Sequence, residues 1–147
     1  MIDHDLIQEK LNLITRDLGH LRAFSQATFQ EVASDFMKYA AIKNVLMEVI
    51  GRALDINQHL IGELAQPTTE VPKTYRETFL ILGKLSVLPK QFSEDISKSA
   101  GFRNAIVHAY NHLDEMDVYK TIGMAIEQYT SYCKHIIKFL KNNAGDR

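Results

Sequence analysis

A chain of 147 residues, 46% apolar and 24% charged, is ordinary for a soluble globular protein and long enough to bury one core, so a single domain over residues 1–147 is expected. The formal net charge of −1 and pI near 6.6 exclude a global basic field, so any nucleic-acid contact must rest on a local patch or on a cleft shared by an oligomer. The single cysteine, Cys133, excludes an internal disulfide and suits a reducing compartment. No apolar run approaches the roughly 20 residues of a membrane span, and the acidic start Met1-Ile2-Asp3-His4-Asp5 lacks a signal-peptide core; the expected location is the cytoplasm.

The first predicted helix carries Ile7, Leu11, Ile14, Leu18 and Leu21 at spacings of 4, 3, 4 and 3, with Gln8, Glu9, Lys10, Arg16 and Asp17 on its other faces. Gly19-His20 is expected to end or bend it near Ala23-Phe24-Ser25. Thr28-Phe29-Gln30-Glu31 has capping-box form and opens a long helix to about Leu64, with Val32, Phe36, Tyr39, Leu46, Ile50, Ala53, Leu60 and Leu64 as its stripe. Lys43 and Asn57 interrupt that stripe. Gly51, costly inside a helix, points to a close helix crossing. Glu48, Arg52, Asp55 and His59 share a face at spacings of 4, 3 and 4. That row is either a solvated, salt-bridged surface or a face turned to a cleft or partner.

Ala65 to Lys73, with Pro67 and Pro72, reads as a loop. Thr74-Tyr75-Arg76-Glu77 repeats the capping-box form and starts a short helix to about Leu85. Val87-Leu88-Pro89 separates it from a fourth helix carrying Phe92, Ile96, Phe102 and Ile106. The last helix follows an Asp114 cap and runs Ile122, Ile126, Tyr129, Cys133, Ile136 and Leu140, with Lys134, Lys138 and Lys141 complementing the helix dipole. No period-2 strand pattern occurs. The expected fold is all-α, an up-down bundle of about five helices.

The fourth helix ends in an unusual inventory: Arg103, Asn104, His108 and Tyr110 within eight residues of an apolar segment. If buried, each needs a hydrogen-bond partner. Arg103 and Tyr110 share one face and Asn104 and His108 the neighbouring one, whereas Arg103 and His108 lie about 140° apart on a regular helix. Either the helix loosens near His108 or a second chain completes the pocket, and this geometry favours a cleft at a subunit interface. Histidine exchanges protons near neutral pH, arginine grips phosphate oxygens in bidentate fashion, asparagine offers a neutral donor and acceptor, and tyrosine can stack on a base. Arg plus His suits metal-free phosphodiester cleavage by an internal 2′-hydroxyl. Taken singly, each residue also has a plain reading: Arg103 as a surface ion pair, His108 as a cap or core histidine, Tyr110 as packing at a helix end. His108 and His112 have the i, i+4 spacing of a zinc half-site but lack the glutamate of His-Glu-x-x-His. Cys133 reads as a buried small hydrophobe.

Phe102-Arg103-Asn104-Ala105-Ile106-Val107-His108-Ala109-Tyr110 resembles the signature of the HEPN superfamily, in particular its HepT-like branch: an aromatic, Arg-Asn, four residues between arginine and histidine, then His-x-Tyr. The resemblance extends over nearly the whole chain, through the helix order, the long second helix and the Leu88-Pro89 lead into the motif helix. It implies a metal-independent endoribonuclease toxin that needs no cofactor and works as a homodimer through the motif helix. Arg103 would stabilise the scissile phosphate, His108 would be the general acid/base, and Asn104 would orient or bind. Tyr110 matches the tyrosine that a cognate minimal nucleotidyltransferase antitoxin adenylylates from ATP. The near-neutral charge departs from what RNA binding suggests, although Lys84, Lys90, Lys98 and Arg103 could form a local patch. The alternative from another class is a non-catalytic helical partner, or nucleotide-binding subunit, of a nucleotidyltransferase; a third is a plain dimeric scaffold.

Overall fold

A computed structural model describes residues 1–108 and 114–143. Among them are seven helical segments: α1 (His4–Phe24), α2 (Phe29–Ala33), α3 (Phe36–Leu64), α4 (Tyr75–Lys84), α5 (Lys90–Ser97), α6 (Ser99–Val107) and α7 (Glu115–Asn142). No strand occurs among the described residues, and the all-α bundle expected from periodicity is present. The long helices α1, α3 and α7 pack on one another; α4, α5 and α6 lie together on the α3 side. Most of the predicted stripe residues form the core: Ile7, Leu11, Ile14, Leu18 and Leu21 of α1 meet Leu46, Ile50, Ala53 and Leu60 of α3 and Ile122, Tyr129, Ile136 and Leu140 of α7 in one apolar cluster, whereas Phe36, expected on the stripe, stands 78% exposed at the start of α3, where the helix begins anew after Asp35.

Two helices expected to be continuous are broken, and side-chain oxygens account for both breaks. The capping box at Thr28 and Glu31 forms as read, but α2 ends after one turn. Ser34 Oγ donates to the Gln30 carbonyl at 2.6 Å, and Asp35 then caps α3 by accepting from the Met37 and Lys38 amides. The fourth predicted helix is α5 and α6, split at Lys98. Ser97 and Ser99 donate to the Glu94 and Ile96 carbonyls across the joint, competing with the helical amides. Ser99 Oγ also shares a hydrogen bond with the buried Tyr129 hydroxyl at 2.6 Å, which ties the joint to α7.

Helix α1 continues through Gly19-His20 and ends at Phe24 with Ser25 as its C-cap, at the connection where an end was expected. Gly51 does not mark a close crossing: a Cβ placed there meets nothing within 4 Å. The glycine with that role is Gly83, where a Cβ would come within 2.3 Å of Ser93 Oγ, so α4 and α5 approach as closely as they do only because a side chain is missing.

The polar row of α3 is in part the salt-bridged surface its spacing suggests, with Glu48 and Asp55 exposed at 44% and 54%, and it lies along the seam with α1, into which Arg52 turns. Arg52 pairs with Asp17 of α1 and with Glu48, Asp55 accepts from Lys10 at 2.9 Å, and His59 Nε2 accepts the Asp3 amide at 2.9 Å. Asp17, read as surface, is buried at 4% exposure because Arg52, Arg16 and His20 all converge on its carboxylate. Cys133 is buried, and desolvation pushes its thiol up to about 11, the state of an inert small hydrophobe.

Candidate functional site

Helix α6 is positioned by its apolar face. Ala100 and Ala105 are buried, and Phe102 and Ile106, one turn apart, pack on the core. That orientation leaves Arg103, Asn104, Val107 and His108 along one side, where all four line a single open groove of about 590 Å³. The helix stops between its two critical members. His108 is the C-cap, with φ −91° and ψ 2°, and its amide donates back to the Asn104 carbonyl at 2.9 Å. The sequence-based difficulty that Arg103 and His108 diverge by about 140° on a regular helix is met within one chain. The groove spans the whole 103–104–107–108 face, and the histidine sits where regular helix ends. Of the two alternatives the spacing left, a helix that loosens near His108 is the one the single chain displays.

The opposite wall is the start of α4, a contribution the motif did not announce. Lys73, Thr74, Tyr75 and Thr78 line it, with Pro72 and Gln58 at its margin. The chain reaches this position because Thr74 caps α4 by accepting the Glu77 amide at 3.2 Å, while Glu77 reaches back to the Lys73 amide at 2.5 Å. The predicted capping box is therefore half present, its return bond displaced by one residue. Behind the wall is a buried polar relay. Thr78 Oγ1 donates to the Tyr75 carbonyl and accepts from Asn57 Nδ2 at 3.1 Å, and Asn57 Oδ1 accepts from the Tyr132 hydroxyl at 2.6 Å. Asn57, which interrupts the apolar stripe of α3, does so to fix the first turn of α4. Burial holds the Tyr132 phenol well above its ordinary pKa, so it stays a donor.

Arg103 is half-buried and held on two sides. Its Nη1 donates to Asn104 Oδ1 at 3.3 Å, and its Cζ stands 5.1 Å from the centre of the Tyr75 ring. Its Nε, buried, has no hydrogen-bond partner among the described residues. A half-buried guanidinium whose buried Nε–H is left over, lining the same groove as an exposed histidine, is an arrangement an oxyanion would complete. None of the described lining residues carries a carboxylate; the polar groups offered are Lys73, Arg103, an amide from each of Gln58 and Asn104, two threonine hydroxyls, a phenol and an imidazole.

Tyr110 and His112 lie outside the described residues, so the structure places neither the proposed modification site nor the second half of the zinc pair. The lysine patch is not assembled. Lys84 pairs with Glu70 at 3.4 Å, Lys90 lines a separate concavity beside His135 and Lys138, and Lys98 lines a third. The lysine that does join Arg103 is Lys73. It was missed because it belongs to a loop remote in sequence from the motif. Its one local signal was its place immediately before the Thr74 cap.

Comparison with known proteins gives concordant results. A family model described as "Ribonuclease HepT-like" matches residues 14–136. A protein named tRNA nuclease HepT, from Aphanizomenon flos-aquae (strain 2012/KM1/D3), is 31% identical over 139 residues, covering 95% of this chain and 92% of its own. Among solved structures, the cytosolic protein of unknown function YutE from Bacillus subtilis superposes with a TM-score of 0.82 at 19% identity, covering 98% of this chain and 94% of that one. A tri-AMPylated Shewanella oneidensis HEPN toxin in complex with an MNT antitoxin superposes with a TM-score of 0.80 at 20% identity, covering 92% and 98%. At those identities the structural matches speak for the fold.

Proposed function

Because the chain belongs to the HepT-like ribonuclease family, we propose that it is the endoribonuclease toxin of a toxin–antitoxin pair and that it cuts RNA in the groove between α4 and α6. The observation that carries this reading is the joint placement of Arg103 and His108 on that groove at the point where α6 ends. In the proposed reaction the 2′-hydroxyl of one nucleotide attacks the adjacent phosphorus. The bond to the 5′-oxygen of the next nucleotide breaks, leaving a 2′,3′-cyclic phosphate and a free 5′-hydroxyl. Arg103 offsets the charge gathering on the non-bridging oxygens, with its spare Nε–H as an additional donor, and Asn104 holds the guanidinium in place. His108 takes the 2′ proton or supplies the 5′ one; a homodimer joined through α6 would supply a second imidazole for the complementary transfer. The groove's nitrogen donors and neutral groups suit an anion directly rather than the oxygen cage of a hard cation. tRNA is the substrate to test first, since it is what the Aphanizomenon relative's name specifies.

Regulation follows the same resemblance. The Tyr110 phenol oxygen would attack the α-phosphorus of ATP on a minimal nucleotidyltransferase, releasing pyrophosphate and leaving AMP on that oxygen. That bulk and negative charge would oppose RNA. The Shewanella neighbour, a tri-AMPylated HEPN toxin in complex with an MNT antitoxin, supports a partner and a modification of this kind.

The deciding assay is cleavage of tRNA and of an unstructured RNA in excess EDTA. Wild-type protein is expected to give cyclic-phosphate ends, His108→Ala to be slower by about 10²- to 10⁴-fold, and Arg103→Ala by about 10²- to 10³-fold. Full cleavage by both variants would overturn the assignment. Binding without cleavage by the wild type would favour the non-catalytic partner instead. Incubation with the nucleotidyltransferase and ATP should add AMP masses at Tyr110, and an unmodified Tyr110 would remove the regulatory part.

A further inference from the structure

A guanidinium on a phosphate and an imidazole beside a ribose hydroxyl read the sugar–phosphate chain, which is the same at every nucleotide. Any preference for one cleavage site over another has to come from a group that meets a base. Single-stranded RNA offers bases chiefly as stacking faces, and proteins meet them with aromatic rings or guanidinium planes. Besides His108, which the proposed reaction uses for proton transfer, the described groove has one aromatic side chain, Tyr75.

Tyr75 is placed as a stacking platform would be. It is the first residue of α4, 37% exposed, on the wall facing Arg103. Its ring lies 5.1 Å from the Arg103 guanidinium carbon, so ring and cation already form the first layers of a stack. Its backbone is pinned: the carbonyl accepts the Thr78 hydroxyl at 2.6 Å, and Thr78 is anchored through Asn57 to buried Tyr132. A ring on so fixed a backbone loses little freedom when a base settles on it. Lys73, exposed and two residues back on the same wall, is placed to meet a neighbouring phosphate.

We propose that Tyr75 is a specificity-determining residue that stacks the base flanking the scissile phosphate, so that base, tyrosine and Arg103 form one column across the groove. This rests on the ribonuclease reading above and goes beyond it by naming the subsite and its ligand, an unpaired nucleobase. The Tyr75 hydroxyl has no part in the role, so phenylalanine should substitute and a branched aliphatic should not.

The test separates the subsite from the chemistry by reading binding in a catalytically disabled background. In His108→Ala protein, anisotropy measures affinity for a fluorescent unstructured RNA and for versions with one abasic nucleotide moved along the chain. At one position, loss of the base should weaken binding by about 5- to 150-fold when Tyr75 is present. Tyr75→Leu should weaken intact RNA by a similar factor and abolish the penalty for that abasic site, while Tyr75→Phe should behave as Tyr75 does. Circular dichroism and the urea midpoint of each variant verify the fold, and Tyr75→Leu keeps an apolar side chain of similar reach at that position. An equal abasic penalty in the Tyr75 and Tyr75→Leu proteins at every position, or no measurable binding of RNA, would overturn the stacking role. Absence of cleavage by wild-type protein that still shows the Tyr75-dependent abasic penalty would sink the nuclease reading and leave the subsite standing.

Discussion

Arg52 carries its guanidinium into the seam between α1 and α3 with 16% of its side chain exposed, and the Asp17 carboxylate, 6% exposed, is the counter-charge that makes this tolerable. Removing one member of a buried pair leaves the other desolvated and uncompensated, which costs about 3–5 kcal/mol where nothing else intervenes. Glu48 stays within 3.1 Å of Arg52 but is itself 44% exposed, so it offsets only part. Asp17→Ala is therefore expected to lower unfolding stability by about 3 kcal/mol in urea melts. A companion Asp17→Leu/Arg52→Met variant should recover most of the loss; no recovery would mean that the pair does more than satisfy itself. Helix geometry sets Asp17 about 80° from the centre of the apolar stripe, at its margin, while Asp5 and Glu9 lie about 160° away on the opposite face, but a margin position alone does not say whether it is covered. What buries it is the cation four turns along another helix, a fact of tertiary pairing. Arg103 and His108 were legible for the opposite reason: their types and spacing are local, and one helix end delivers both. Tyr75 and Lys73 come from a different element, so no spacing rule could join them to the motif.

Glycines separate the elements that tolerate a side chain from those that do not. In α3, a Cβ at Gly51 meets nothing within 4 Å, so Gly51→Ala should stabilise by up to about 1 kcal/mol through helix propensity and the reduced freedom of the unfolded chain. In α4, a Cβ at Gly83 would lie 2.3 Å from Ser93 Oγ and 2.9 Å from its Cβ, and Ser93 is 1% exposed. Gly83→Ala should cost about 1–3 kcal/mol by overpacking, and because α4 carries the groove wall it should also disturb RNA binding. Thermal melts of the two variants moving the same way would refute this pairing. Sequence reasoning chose Gly51 because a glycine inside a long apolar helix usually marks a crossing. Gly83 sits one residue from a helix end, where glycine looks like punctuation. The helix stripes, the Thr28 and Asp114 caps and the all-α class were readable because each depends on neighbours within one or two turns. The breaks at Ser34-Asp35 and at Lys98 were written there too, as serines and an aspartate that compete for backbone groups, but in a weaker signal than the apolar periodicity running through them.

At the scale of the whole molecule, the question is how a protein of net charge −1 would hold the polyanion proposed as its substrate. A diffuse basic surface would make affinity collapse with salt; a groove that concentrates a few cations and admits no carboxylate would not. Here the described groove offers Lys73 and Arg103, while Lys90 and Lys98 line other concavities and Lys84 is paired with Glu70. With about −0.7 in log–log salt slope for each phosphate neutralised on a single strand, two cations give a slope of about −1.4, and about −2.8 where a dimer presents both grooves to one RNA. The His108→Ala protein should show a slope in that interval when RNA affinity is followed from low to physiological salt. Lys73→Ala should make it shallower by about 0.7 per groove engaged, and Lys90→Ala should leave it unchanged. A slope steeper than about −5 would mean that RNA is gripped well beyond the groove, and a slope indifferent to Lys73 would move the phosphate path away from the α4 wall. The same measurement bears on quaternary structure. A single chain already brings Arg103 and His108 to one cavity, so the slope, with sedimentation of the free protein, reports whether a second copy adds its cations to the same strand.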